Sequence, residues 1–196
     1  IGNHSGTAIT TGDANTAVGS LSLEATTTAQ YNTAVGYSSL KTNITGAANT
    51  GLGYRSLELT TGDNNTGLGY EAGAANAGGD NNTAVGKGAL YANTTGTQNT
   101  GVGLQALNAN TTGDYNIALG VNALLNNTTA DSNVAVGVNA MNQNTTGATN
   151  TAFGHSALNA NTTGNQNTAV GGFALDASSG ANENTAMGYQ SLSACT

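Results

Sequence analysis

The segment NTAVGKGALYANTTGTQ at 82–98 recurs along the whole chain and decides the fold. Ten intervals separate the eleven copies, and nine of them are 17 residues long, while the interval from Asn49 to Asn65 is 16. Positions are numbered 1 to 17 from the opening asparagine. These asparagines are Asn15, Asn32, Asn49, Asn65, Asn82, Asn99, Asn116, Asn133, Asn150, Asn167 and Asn184.

A period of 17 residues fits one coil of a β-solenoid better than a helical repeat, which generally needs about 20–45 residues. Asn and Gly are poor helix formers, and NTTG is turn material. We therefore predict an all-β fold, a parallel β-solenoid of 11–12 coils about 55 Å long, with residues 1–196 as a single domain. Because Ile1 and Gly2 read as the tail of a further copy, we expect a fragment of a longer array.

Alternation along NTAVG places positions 2 and 4 on one side of a strand. Position 4 is apolar in every copy and position 9 is mostly leucine, so we expect both rows to form ladders inside the solenoid. The glycine at position 5, and the second glycine after most NTT turns, indicate a positive φ or a corner without room for a side chain.

The asparagine that opens every copy predicts a buried amide ladder, in which each side chain bonds to the next coil and to the corner backbone. Such a ladder is tolerated only when its hydrogen bonds are complete. The alternative is an exposed asparagine that favours a turn.

Positions 3 and 5 are only Ala or Gly, which would let another chain approach closely. Position 6 adds a largely apolar stripe, and such stripes usually mark an interface. The alternatives are an exposed small-residue face with the stripe packed on its own coil, or a sugar platform made by the tyrosines. The candidate interface residues are Ala34, Gly51, Gly67, Ala84, Tyr37, Tyr54, Tyr70, Leu104, Val121 and Val138.

The formal charge is −7, with three basic residues. Phosphate binding depends on Lys and Arg, so we expect no nucleic-acid partner and no docking on anionic lipid. No apolar run approaches the roughly 20 residues of a membrane helix, so we expect no membrane insertion.

We expect no enzymatic activity, no cofactor and no metal. His4 and His155 would lie about 43 Å apart, and Cys195 has no histidine partner. Acidic residues such as Asp63 and Asp80 follow the turn glycine, where an Asx turn accounts for them. A carbohydrate-degrading β-helix enzyme would need carboxylates clustered on neighbouring coils.

The segments NTAVGYSSL at 32–40 and NTAVGKGAL at 82–90 resemble the repeats of trimeric autotransporter adhesin heads. They are also similar to the repeats upstream of the endosialidase-type chaperone in phage tail fibres. The resemblance implies a left-handed parallel β-roll, and a homotrimeric fibre that contacts a host surface. The adhesin unit is shorter than 17 residues, and the NTTG turn is the insertion.

We therefore predict a structural or adhesive segment of an extracellular fibre or filament, on a cell or virion surface. Its partners would be copies of itself, as a homotrimer or an end-to-end filament, and a host-surface glycan or receptor. The alternative is an ice-binding solenoid that presents the threonine pairs of the NTT turns, such as Thr94 and Thr95.

Overall fold

The computed structural model describes residues 2–193, so Ile1 and Cys195 lie outside the described residues. That range contains no helix, and each repeat contributes one three-residue strand, numbered with its coil from 1 to 11. The strands are β1 (Thr16–Val18), β2 (Thr33–Val35), β3 (Thr50–Leu52), β4 (Thr66–Leu68), β5 (Thr83–Val85), β6 (Thr100–Val102), β7 (Ile117–Leu119), β8 (Val134–Val136), β9 (Thr151–Phe153), β10 (Thr168–Val170) and β11 (Thr185–Met187).

All eleven strands form one parallel sheet in which each strand bonds to the next along the chain. The strands pair in register, so that Thr33 lies opposite Thr50. The register survives the 16-residue repeat, because Thr50 lies opposite Thr66. The predicted parallel β-solenoid with a 17-residue repeat is confirmed.

The remainder of each coil is turn, but backbone hydrogen bonds still join it to its neighbours. For example, the Leu40 N–H donates to the Ser56 carbonyl at 3.0 Å, and the Arg55 N–H donates to the Tyr37 carbonyl at 2.8 Å. Positions 7, 9 and 17 have positive φ, as at Ser38 (54°), Leu40 (51°) and Ala48 (56°). Left-handed residues bend the backbone sharply, so a coil has one strand and completes its circuit in turns.

The prediction that positions 2 and 4 point into the core is wrong. Ala34 at position 3 is fully buried, whereas Leu52 and Leu119 at position 4 are 44% and 38% exposed. The interior behind the strand is narrow, since a Cβ added to Gly51 would lie 2.5 Å from Ser39 Oγ. Only a hydrogen or a methyl group fits there, so position 3 turns inward and the larger apolar side chain turns outward.

The predicted leucine row at position 9 is confirmed as core. The row packs with buried Ala or Ser side chains at positions 3 and 8, and it is interrupted at Gly73 in coil 4. Leu57 fills the gap, because its Cδ2 lies 2.7 Å from where a Gly73 Cβ would stand. Leu192 in coil 11 is 49% exposed. The buried members of the row are Leu23, Leu40, Leu57, Leu90, Leu107, Leu124, Met141, Leu158 and Leu175.

The two glycine columns leave little room for a side chain for different reasons, and position 15 admits alanine at Ala29, Ala130 and Ala181. At position 5, Gly120 has φ +141°, and a Cβ there would lie 2.5 Å from the Gly137 carbonyl oxygen. At position 15, Gly113 has no positive φ, but a Cβ would lie 2.4 Å from the Ala130 carbonyl oxygen. Position 5 therefore combines a left-handed backbone with close stacking, and position 15 is restricted by stacking alone.

The 16-residue coil lacks position 14. Gly62 occupies the position-15 column, because a Cβ on Gly46 would lie 2.4 Å from the Gly62 carbonyl oxygen. The Thr61 N–H donates to the Ala77 carbonyl at 3.0 Å, which places both residues at position 13. In the adjacent coils position 14 is exposed, at Thr45 and Gly78. The deletion therefore falls at an outer point of the turn and leaves the core stacking intact.

Candidate functional site

The outer face of the sheet carries two outward rows, at positions 2 and 4. Position 2 is threonine in nine of the eleven coils, with Ile117 and Val134 in the other two. Position 4 is apolar throughout, and its exposure reaches 57% at Phe153 and 76% at Met187. Neither row contains a charged residue. The sheet thus presents an uncharged, half-apolar strip about 50 Å long to its surroundings.

The position-6 stripe borders this face and is exposed. Tyr37, Tyr54 and Tyr70 stack face to face, with ring centroids 5.4 and 5.0 Å apart and rings inclined by 13°. The Lys87 ammonium lies 5.6 Å from the Tyr70 ring centroid. Because neighbouring rings and Lys87 cover most of the ring faces, the three tyrosines mainly present their edges and hydroxyl groups. This geometry disfavours a flat sugar platform on the tyrosines.

The structure separates the residues that the sequence grouped as one interface. Ala34, Gly51, Gly67 and Ala84 at position 3 are buried, so their placement on an outer face is corrected. Their place on the surface is taken by the position-4 row, which the sequence had assigned to the core. The position-6 members keep their predicted exposure, which lies between 38% and 47% for Tyr37, Tyr54, Tyr70, Leu104, Val121 and Val138.

The opening asparagines form a continuous hydrogen-bonded ladder from Asn15 to Asn184. The backbone N–H of each donates to the side-chain oxygen of the preceding one, as from Asn116 to Asn99 Oδ1 at 2.9 Å. Asn116 Nδ2 also donates to the carbonyl of Ala130 at 2.8 Å. The side chains from Asn32 to Asn167 are buried, which makes the ladder part of the scaffold rather than a surface site.

A second asparagine ladder, at position 12, was missed by sequence reasoning. From Asn93 onward, the side-chain amide of each member donates to the side-chain oxygen of the preceding one, as from Asn93 to Asn76 Oδ1 at 2.8 Å. Asn93 Nδ2 also donates to the Gly96 carbonyl at 2.9 Å, which Asn82 Nδ2 reaches as well. The signal was present, since position 12 is asparagine in seven repeats, but NTTG reads as turn chemistry. The ladder comprises Asn76, Asn93, Asn110, Asn127, Asn144 and Asn161.

The threonine pairs of the NTT turns are not equivalent. The Thr94 hydroxyl donates to the Thr111 carbonyl at 2.9 Å, and position-13 threonines repeat this bond in the following coils. Position 14, for example Thr95, is exposed in each of coils 5 to 9, whereas position 13 is exposed at Thr94 and half-buried from Thr111 to Thr162. The turns therefore present one free threonine row.

The acidic residues at position 16 cap backbone N–H groups of the preceding coil. Asp80 Oδ1 accepts from the Asp63 N–H at 2.7 Å, and Asp114 Oδ1 accepts from the Thr97 N–H at 2.6 Å. Among residues 2–193, no three His, Cys, Asp or Glu side chains form a group that could hold a metal ion.

All three basic residues lie between Lys41 and Lys87, on coils 2 to 5. The Arg55 guanidinium bonds to Glu58 at 2.6 Å and to Glu71 at 2.9 Å. These contacts raise the pKa of Arg55, and the largest cause is the hydrogen bond that its guanidinium donates to Glu58. Lys41 lies 3.8 Å from Glu24. Within residues 2–193, Lys87 has no carboxylate at salt-bridge distance.

No helix among the described residues is long and apolar enough to cross a membrane. Comparison with protein-family models, with curated proteins and with solved structures gives no match for this chain.

Proposed function

We propose that the chain is a non-catalytic rod segment of an extracellular fibre, on a cell or virion surface, that associates with further copies through the outer face of its sheet. The observation that carries this proposal is the unbroken apolar row at position 4, in which six of the eleven side chains are exposed and the other five are half-buried. Monomeric soluble proteins rarely expose a contiguous apolar strip of this kind, and interface centres are depleted in charge.

Side-by-side parallel association suits the repeat. When parallel rods lie about a common axis, coil n of one chain meets coil n of the next. The position-4 side chains of the two chains would then contact each other at the same level. Closed rings of identical chains are the usual form of such contacts. Three chains is the expected number, since the resemblance to adhesin heads implies a trimer. The position-6 stripe would lie at the rim of this contact.

Charge substitutions on the outer face test the proposal. The double variant Leu52→Glu, Leu119→Glu places two carboxylates per chain in the apolar row. Because a buried unpaired charge is strongly unfavourable, we expect the oligomer to dissociate to the 19.2 kDa chain. The measurement is light scattering after size-exclusion chromatography.

The matched control is Thr95→Glu, Thr112→Glu, which adds the same charge at exposed turn positions. This control should keep the mass of the unmodified chain. Circular dichroism should remain that of a folded β protein in both variants. An oligomer that withstands the outer-face carboxylates would contradict the proposed interface.

The outer face also favours a second candidate function, ice binding. Position 2 presents threonine methyl and hydroxyl groups in register in nine of the eleven coils, beside the apolar row. The position-2 threonines suit an ice surface better than the threonine pairs of the turns, because the position-13 hydroxyls of those pairs already bond to the next coil. Thermal hysteresis from a monomeric chain would favour this function. An oligomer without hysteresis would exclude it.

A further inference from the structure

A shallow cavity of about 250 Å³ opens on the turn side of coils 4 to 6, beyond the outer face of the sheet. It is formed by residues at positions 6, 7 and 10 of consecutive coils, and its lining is Glu71, Lys87, Gly88, Tyr91, Gln105 and Asn108. The residues of positions 2 and 4 take no part in it.

The cavity exists because coil 5 has glycine at position 7. A Cβ on Gly88 would lie 3.2 Å from Asn108 Nδ2 and 3.7 Å from Gln105 Cγ, so a longer side chain would enter the cavity. The next coils carry Gln105, Asn122 and Asn139 at this position. Gly88 is thus a departure from the repeat that opens a space on an otherwise regular surface.

The lining combines an aromatic ring with hydrogen-bond donors and hydrogen-bond acceptors. Tyr91 is 40% exposed, and Asn108 is held by a 2.7 Å bond from its Nδ2 to the Gly88 carbonyl. Gln105 supplies a further amide. Lys87 supplies the ammonium without a carboxylate partner, and Glu71 is already bound to Arg55.

This set of groups fits a sugar ring better than an apolar ligand. Each sugar hydroxyl both donates and accepts a hydrogen bond, while the C–H face of a pyranose packs against an aromatic side chain. Ligand sites pair such apolar contact with a few placed polar groups. A volume of about 250 Å³ lies below the ~300–1,000 Å³ of sites for drug-sized ligands, which limits the occupant to one ring.

We propose that this cavity binds one pyranose unit of a glycan. The ring packs against Tyr91, and its hydroxyls bond to Lys87, Gln105 and Asn108. This inference deepens the proposed adhesive function by giving the fibre a ligand. It is distinguishable from that proposal because Gly88, Tyr91, Gln105 and Asn108 lie off the self-association face, and only Lys87 belongs to the position-6 stripe at its rim.

The test is saturation-transfer NMR of the full chain with methyl glycosides of glucose, galactose, mannose and N-acetylglucosamine. We expect transfer to the ring protons of at least one glycoside. Gly88→Asn should abolish this transfer, because the asparagine side chain fills the cavity, and coils 7 and 8 already carry Asn at this position with φ 56°. Gln190→Asn is the matched control at an exposed position 7 and should leave the transfer unchanged.

Tyr91→Leu gives an independent readout, because coil 7 has Leu125 at the same position. We expect at least a tenfold loss of affinity from this variant. Absence of transfer from all four glycosides would overturn the glycan proposal, as would transfer that persists in both folded variants. The mass of the oligomer, measured on the same samples, reports separately on the self-association proposal.

Discussion

At position 3, two of the three glycines, Gly51 and Gly67, face a serine of the preceding coil across the interior. Ser39 Oγ donates to the Gly51 carbonyl at 2.9 Å, and a Cβ on Gly51 would lie 2.5 Å from this Ser39 Oγ. Ser56 and Gly67 repeat this arrangement one coil later. In contrast, Ser22 bonds to the Gly19 carbonyl. The Ser5 hydroxyl nevertheless donates to the carbonyl of Ala17, so the serine bonds do not divide according to Ala or Gly at the next position 3.

This pairing predicts a compensating double substitution. Gly51→Ala should destabilise the chain by about 2 kcal/mol through overpacking. In a Ser39→Ala background the same substitution should cost less, by about 1 kcal/mol, because the clashing oxygen is gone. Urea unfolding of the four variants measures this coupling. An equal cost of Gly51→Ala in both backgrounds would show that Ser39 is not the obstacle.

Removing one asparagine side chain from the opening ladder should lower the stability of the chain substantially. Asn116→Ala removes the acceptor of the Asn133 N–H, which lies 3.0 Å from Asn116 Oδ1. An unsatisfied buried N–H costs about 1–3 kcal/mol, so we expect a loss of that size or more. The exposed Thr112→Ala should change stability by less than about 0.5 kcal/mol.

Hydrogen exchange would show where in the chain the Asn116→Ala substitution acts. In Asn116→Ala, the amide of Asn133 should exchange faster, while amides in distant coils keep their protection, because a repeat protein contacts only its neighbours. Unchanged exchange at Asn133 would mean that the ladder does not hold the coils in register.

At the scale of one coil, coil 3 departs from the repeat in two ways. It lacks position 14, and it has Thr60 where the second ladder requires asparagine. As a result, Asn43 Oδ1 and Thr60 Oγ1 are buried without a hydrogen-bond partner. The apolar core divides between coil 3 and coil 4, where Gly73 interrupts the leucine row, so the cluster that ends at Leu57 is separate from the one that begins at Ala72.

Restoring the consensus in coil 3 should stabilise the chain. Inserting a threonine after Thr61 and replacing Thr60 by asparagine would complete the ladder from Asn43 to Asn76. Completing buried hydrogen bonds should add about 1–2 kcal/mol and raise the melting temperature. Thr60→Asn alone should add less, since its position-15 carbonyl, on Gly62, is then only two residues away. A lower melting temperature for the combined variant would contradict the assignment of the deletion to position 14.

The sequence was sufficient to predict the solenoid coil, but not to predict which side of the strand faces its interior. A 17-residue period and a leucine at position 9 identify a solenoid and its main core row, because these patterns depend on spacing alone. A three-residue strand also shows which residues share a face. It does not show which face is inside, and the usual preference for buried Val and Leu failed because the interior admits only a methyl group at position 3.

The second ladder and the cavity were hidden for different reasons. Asn93 and its equivalents stand in NTTG, where an asparagine that favours a turn and one that bonds to the next coil look the same. The cavity depends on Gly88 in relation to residues of two other coils. Such a relation becomes visible only when position 7 of coil 5 lies next to positions 7 and 10 of coil 6.

At the scale of the whole rod, the charged residues lie off the outer sheet face. The outer sheet face is free of charge in all eleven coils, although the chain carries a formal charge of −7. Because burial of apolar side chains would drive association, raising NaCl from about 50 to 500 mM should not dissociate the oligomer. Mass measured by light scattering across this series checks the prediction. Dissociation by salt would indicate an ionic interface elsewhere.

Sedimentation equilibrium of the unmodified chain over a concentration series tests the central claim most directly, because it gives the number of copies that associate. We predict a stable species of about 58 kDa, three times the 19.2 kDa of one chain. A 19.2 kDa monomer at every concentration would contradict self-association through the outer sheet face.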